Sequence, residues 1–307
     1  MNSENKKLSI KGSKENIKLD VCLPVFLVGA IGGIIIRCIQ MVSYIDPETG
    51  FCKGNGDWIH LIFYIILAVN ILFFCSRAYF SAVCKTIETV GQSSKIAAIG
   101  TRAMAVGFLF DCFTSFVNGI TGSSTAADYT GIMKSGTLPL LLQSLFGLFS
   151  AIYFFILASD FSKGTAKAYK RKIMAAAPVC WAGARLIHRF LRQISFVEVS
   201  DLFLELIMIA FMIMFFMALA QVSSGVYKDA VKWRIPAFGL SAAIIAATLS
   251  IPRMIFTLVN AELIVSEHPF YLSDLLFAVF VLTLIIKIKD SAKAPLVSST
   301  EESEDKE

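Results

Sequence analysis

The chain has 307 residues, of which 56% are hydrophobic and 17% charged. A soluble domain carries about a quarter charged residues, so a water-soluble globule is excluded. The net charge of +5 comes from 28 Lys and Arg against 23 Asp and Glu; no clustered basic domain carries it, which excludes nucleic acid as a partner.

An apolar run of about 20 residues crosses a hydrocarbon core of about 30 Å, and such runs recur along nearly the whole sequence. Residues 1–20 form a basic N-terminal segment, too charged for an ordinary signal peptide. Spans are then predicted over 21–45, 58–75, 96–117 and 137–158, followed by 173–194, 202–222, 235–259 and 271–288. Residues 289–307 are acidic and lack apolar residues towards the end, the composition of a disordered tail. Continuous apolar runs do not fit the short alternating strands of a barrel. The expected fold is an all-α integral membrane bundle over 21–288, eight helices arranged as four hairpins, with the lipid bilayer as its partner.

Lys and Arg in the connections set the orientation. Twenty lie in the N-terminal segment, after spans two, four and six, and at the C-terminal end, whereas Lys53 and Lys134 alone occupy the other side. That asymmetry expects both termini in the cytoplasm of a plasma-membrane protein.

The odd spans share a pattern: "RCIQMV" from Arg37, "DCFTSFV" from Asp111, "RLIHRFL" from Arg185 and "RMIFTLV" from Arg253 each place one charge in the outward half. Small residues at four-residue spacing predict close helix approaches at Gly29 and Gly33, at Ala176, Cys180 and Ala184, and at Gly239, Ala243 and Ala247. Span six is built of Met, Phe, Ile and Leu, which places it nearer the lipid and the odd spans in the interior. Pro178 and Pro252 are expected to kink their spans from within.

An ionisable residue inside a span is a functional candidate. Arg37, Arg185, Arg253, Asp111 and Glu205 meet that description. Two readings stand side by side. In one, the arginines pair with Asp111, Asp201, Glu205 or Asp274 and fix helix packing. In the other, Arg37, Arg185 and Arg253 line an outward-facing cavity that holds a small anionic solute, because a guanidinium suits carboxylate or phosphate, with Asp111 or Glu205 as pairing or coupling acid.

His60, His188 and His268, with Asp57, Glu262 and Glu267, come from different hairpins without metal-ligand spacing, so no metal is expected. The 46–57 segment lacks the ligand pattern of a calcium loop. Only Cys52 of the seven cysteines lies in an outer connection, so no disulfide joins outer loops. Phosphate-loop, zinc-protease and serine-hydrolase motifs are missing, and Lys287 sits at a span end rather than where a retinal would attach. No cofactor and no catalysis are expected. A small-solute carrier or permease is the first functional reading; a non-transporting sensor or membrane-embedded subunit of a complex is the second.

Overall fold

In apolar surroundings the backbone must satisfy its polar groups internally, and the helical ladder does so within one segment. The computed structural model describes residues 21–45, 54, 56–80, 93–121, 137–165, 167–168, 171–191, 199–224, 233–259 and 271–304, with side chains from 201 onward in the sixth helix and up to 290 in the last. Eight α-helices occur among them: α1 (Cys22–Ile39), α2 (Gly56–Phe80), α3 (Lys95–Thr121), α4 (Thr137–Lys163), α5 (Ala177–Leu191), α6 (Val199–Ser223), α7 (Arg234–Val259) and α8 (Leu272–Glu304). Six of them, all but α5 and α8, are long and apolar enough to cross a membrane, the architecture of a polytopic membrane protein. At 15 residues, α5 spans about 22 Å, short of a full crossing. The described part of α8 carries Asp274, Lys287 and Lys289. Its backbone continues helically to Glu304, although composition alone leaves this end unordered; once a helix is nucleated, each added residue gains a bond.

Six helices close a ring in which α3 packs on α4, α4 on α5, α5 on α6, α6 on α7, α7 on α8 and α8 back on α3. The α1–α2 pair lies outside this ring and docks chiefly on α7. That pairing requires α7 to be small on several sides, and its Gly239, Ala242, Ala243, Ala246 and Ala247 are all buried. Consecutive helices run antiparallel: Phe26 meets Phe74 while Gln40 meets Ile59, and Gly119 meets Leu141 while Phe108 meets Phe154. Around the outside, Val28, Leu72, Phe113 and Leu258 are exposed, the surface a lipid phase accepts.

Three expectations about placement are corrected. The first span is peripheral rather than interior, with exposed Leu27, Val28, Ile31 and Ile35. The sixth is a ring member, because its Met208, Met212, Phe215 and Phe216 fill the ring interior instead of facing lipid. In α5 the residues that pack are Trp181, Ala184 and Arg185, while Ala176 and Cys180 are exposed. Pro178 is the second residue of α5, a first-turn position where its missing N–H costs nothing; Pro252 lies inside α7 as the sequence indicates.

The ring interior is sealed at one level by aromatic side chains. Phe108 of α3 stands edge-on to Phe154 of α4 at 5.2 Å and to Trp181 of α5 at 4.8 Å. Phe154 meets Phe280 of α8 at 5.1 Å, and Phe216 of α6 meets Phe277 at 5.6 Å. Edge-to-face geometry of this kind adds about 0.5–1.5 kcal/mol per pair beyond the area buried.

Candidate functional site

Beside the aromatic layer, towards the end at which α3 and α5 stop, lies a polar layer. The helices place its members by simple geometry. Arg185 precedes the end of α5 by about 9 Å, and Asp111 precedes the end of α3 by about 15 Å. Asp201 and Asp274 lie in the first turns of α6 and α8. Antiparallel packing therefore brings the opening turns of α6 and α8 level with the last turns of α5 and α7.

Two networks result. In the first, Asp201 accepts hydrogen bonds from Arg37 of α1 and, at 3.3 Å, from Arg253 Nη2 of α7. Arg37 also donates to Gln40 Oε1 at 2.9 Å, and Gln40 Nε2 donates to the Ile59 carbonyl at 3.1 Å. Gln40 opens a π-helical segment, Gln40–Tyr44, that continues α1. The wider turn rotates the amide inwards, where it is fully buried.

In the second, inside the ring, Arg185 grips Asp274 with two parallel bonds, Nη1 to Oδ1 at 2.5 Å and Nη2 to Oδ2 at 2.7 Å. Its Nη2 also donates to Glu205 Oε1 at 3.0 Å, and Arg189 Nη2 reaches the same oxygen at 2.7 Å. The Arg185 guanidinium lies 4.0 Å from the Tyr271 ring centroid, stacked on its face. The planar fork of arginine suits this combination of bidentate pairing and stacking. These pairs join α5 to α6 and α8, across the middle of the ring.

The five sequence candidates thus divide. Arg37 and Arg253 converge on Asp201; Arg185 and Glu205 belong to the ring network; all three arginines are paired with carboxylates. Asp111 is 0% exposed and forms no salt bridge among the described residues. Both of its oxygens lack a hydrogen-bond partner there, as do Ser115 Oγ, Ser273 Oγ and both ends of the Gln143 amide. Asp111 and Ser115 share a face of α3, four residues apart. Cys112 and Ser144 meet at 3.4 Å across the α3–α4 seam. Asp111 and Gln143 each precede one of that pair, and on antiparallel helices they turn to the same side of the seam, the ring interior. Ser273, on α8, faces Asp111 without closing a hydrogen bond of normal geometry, and Arg185 is a further electrostatic neighbour.

Four arginines, Arg37, Arg185, Arg189 and Arg253, therefore share one layer with four acids, Asp111, Asp201, Glu205 and Asp274. Counting charge along the spans leaves an excess of positive charge in the bilayer, because it assigns Asp201 and Asp274 to the outer surface. Arg102, exposed on α3, lies outside the layer, and Arg192 lies outside the described residues.

Sequence reasoning misses Arg189, Gln143, Ser115 and Ser273 as site residues. For Gln143 a signal does exist, an amide within the apolar run "LPLLLQSLFGLF". Lys287 is also buried, with its ammonium 3.8 Å from the Phe161 ring centroid, where its place in the sequence indicates only a span end. His60 and His188 are buried in different helices, and no group of three metal-ligating side chains occurs among the described residues. His268, Glu262, Glu267, Lys53, Lys134, Cys52, the 46–53 part of the turn segment and residues 1–20 lie outside the described residues. Comparison with protein-family models, curated proteins and solved structures finds no match.

Proposed function

We propose that the chain is a small-solute carrier or permease of the plasma membrane, with eight spans in four hairpins and both termini in the cytoplasm. The 20-to-2 asymmetry of Lys and Arg supports the orientation. The observation that carries the functional reading is the set of buried, hydrogen-bond-deficient polar atoms of Asp111, Ser115 and Gln143 inside the ring. An unsatisfied buried polar atom costs about 1–3 kcal/mol, and such a cost at several neighbouring positions is relieved by a polar guest or by water.

An anionic solute held by Arg37, Arg185 and Arg253 fits this arrangement less well, since it must displace Asp201 or Asp274 from its arginine. Asp111 and Gln143 instead favour a solute that donates hydrogen bonds. In this reading the arginines are positioning residues, and the aromatic layer of Phe108, Phe154 and Phe216 closes the path below the solute. The protein is not an enzyme in this proposal.

The second reading, a non-transporting sensor or complex subunit, draws on the pairing of every ring arginine with an acid, which is what purely structural ion pairs look like. A thermal-shift panel of amines, sugars, amino acids and organic acids on detergent-purified protein separates the two. A carrier shows at least one solute class that stabilises the wild type and loses its effect in a folded Gln143→Leu variant. If no solute class shifts the melt of the wild type, the carrier reading fails.

A further inference from the structure

The ring network holds three carboxyl groups, Asp111, Glu205 and Asp274, against two guanidiniums, Arg185 and Arg189. Glu205 and Asp274 are the acids that take the arginines' hydrogen bonds. Asp111 is left fully buried, without an ion pair among the described residues; Ser115 lies one turn away on α3, Gln143 turns to the same side of the α3–α4 seam, and the hydroxyl and backbone N–H of Ser273 on α8 face it, while the side-chain oxygens of all four are buried and close no hydrogen bond of normal geometry there. Together they offer as many as five oxygen ligands with one negative charge. Charge and donor chemistry agree on what is missing, a single positive charge that prefers hard oxygen ligands.

We propose that Asp111, Ser115, Gln143 and Ser273 form a binding site for a monovalent metal cation inside the six-helix ring. The site is built from three helices, so an ion there ties α3, α4 and α8 together and balances the ring network, in which three carboxyl groups face two guanidiniums. A divalent ion would leave the ring network with a positive excess and fits less well. The inference rests on the carrier reading and deepens it by making a coupling ion one guest of the same polar atoms, Asp111, Ser115 and Gln143, that the solute addresses; cation binding is measurable without any solute. The solute panel and the cation titration can therefore fail independently.

The test uses the full chain in detergent micelles, at fixed pH and ionic strength, with choline chloride progressively replaced by sodium chloride. Unfolding is followed by tryptophan fluorescence, to which Trp181, at the seam beside Gly147, contributes. Sodium is expected to raise the melting temperature saturably by a few degrees, and Asp111→Asn to abolish the rise while melting no lower than the wild type in choline. Potassium acting in place of sodium supports the same site with a different size preference. Should Asp111→Asn fail to fold, Ser115→Ala is expected to raise the half-saturating sodium concentration severalfold. Identical melts in sodium and choline, a sodium response that survives Asp111→Asn, or half-saturation unchanged in Ser115→Ala overturns the proposal. A melt that depends on pH but not on the cation assigns the missing charge to a proton and overturns it as well.

Discussion

Asp201 and Glu205 stand one helical turn apart on α6 and divide the arginines of the polar layer between them. Asp201 takes Arg37 and Arg253, from α1 and α7, whereas Glu205 takes Arg185 and Arg189 of α5. A single helix thus fastens the outlying hairpin with one carboxylate and the ring interior with the next.

The two acids should differ in what they hold. Asp201 is 20% exposed, while Glu205 is 1% exposed, so water screens the first pair more than the second. Asp201→Asn is expected to loosen α1 while leaving the ring assembled. Disulfide trapping between cysteines introduced at Gly33 and Thr248, neighbours across the α1–α7 contact, measures this: trapping slows or fails in Asp201→Asn and is unchanged in Glu205→Gln. Equal trapping in all backgrounds removes Asp201 as the fastening of α1.

Breaking the bidentate Arg185–Asp274 pair should be costly. Arg185→Leu leaves Asp274 and Glu205 buried with fewer compensating charges, a loss of about 3–5 kcal/mol by analogy with buried pairs elsewhere. Arg185→Leu combined with Asp274→Leu should recover part of it, because both charges are removed together. Denaturant unfolding in mixed micelles over the double-mutant cycle provides the measurement. A cycle that is simply additive shows that the pair contributes no coupling.

The helices are legible in the sequence and their neighbours are not. Continuous apolar runs mark six of the eight helices, because a backbone without water has little alternative to the helix, while α5 is broken by Arg185, His188 and Arg189 and is the least regular of the predicted spans. Span ends set by hydropathy leave Asp201 just outside span six and Asp274 in the opening turn of span eight, both counted with the outer surface, whereas both fall within the first turns of α6 and α8 and fold back into the polar layer. Gln143 carries no charge and so attracts no notice among leucines. Span six has few small residues, which taken alone assigns it to lipid; in a ring, large Phe and Met side chains fill the interior, and size does not say which side a helix presents. Arg37 and Arg185 are legible as buried charges, since eight and nine residues separate them from the outer ends of their predicted spans; Glu205, three residues inside its predicted span, is not, and its burial comes from the ring packed around it.

The aromatic layer should resist truncation at its centre more than at its edge. Phe154 touches Phe108, Phe216 and Phe280. Phe154→Ala leaves a cavity worth about 3–5 kcal/mol in a soluble core, and the lower end is expected here because an apolar side chain released into lipid regains contacts. Phe113, exposed on α3, provides the control: Phe113→Ala should change unfolding by less than about 1 kcal/mol. Comparable losses at the two positions would show that the ring interior is not filled as described.

Orientation can be measured with native thiols. Two cytoplasmic termini place Cys52 outside and Cys84 inside, so a membrane-impermeant maleimide on intact cells should modify Cys52, in a variant whose other cysteines are serine or alanine, and spare Cys84 in the reciprocal variant. Modification of Cys84 alone reverses the orientation.

The contact of α3 with α8 makes the sharpest packing prediction. A Cβ placed on Gly100 would overlap the Thr283 side chain, with Thr283 Cβ at 2.8 Å and Cγ2 at 2.9 Å, and Thr283 Oγ1 is already committed to the Phe280 carbonyl at 2.8 Å. Thr283 is β-branched, so turning its hydroxyl away from Gly100 brings another branch towards the same point or breaks the bond to the Phe280 carbonyl. Around Gly32, by contrast, nothing lies within 4 Å of the point where a Cβ would stand. Gly32→Ala should therefore be neutral or stabilising by up to about 1 kcal/mol from helix propensity. Gly100→Ala should lose about 1–3 kcal/mol to overpacking, and Thr283→Gly in the same chain should relieve the overlap at its own cost in helix propensity. The decisive reading is the sign of the coupling: Gly100→Ala must destabilise less in the Thr283→Gly background than in the wild type. If it destabilises equally in both, α3 and α8 do not approach at this point.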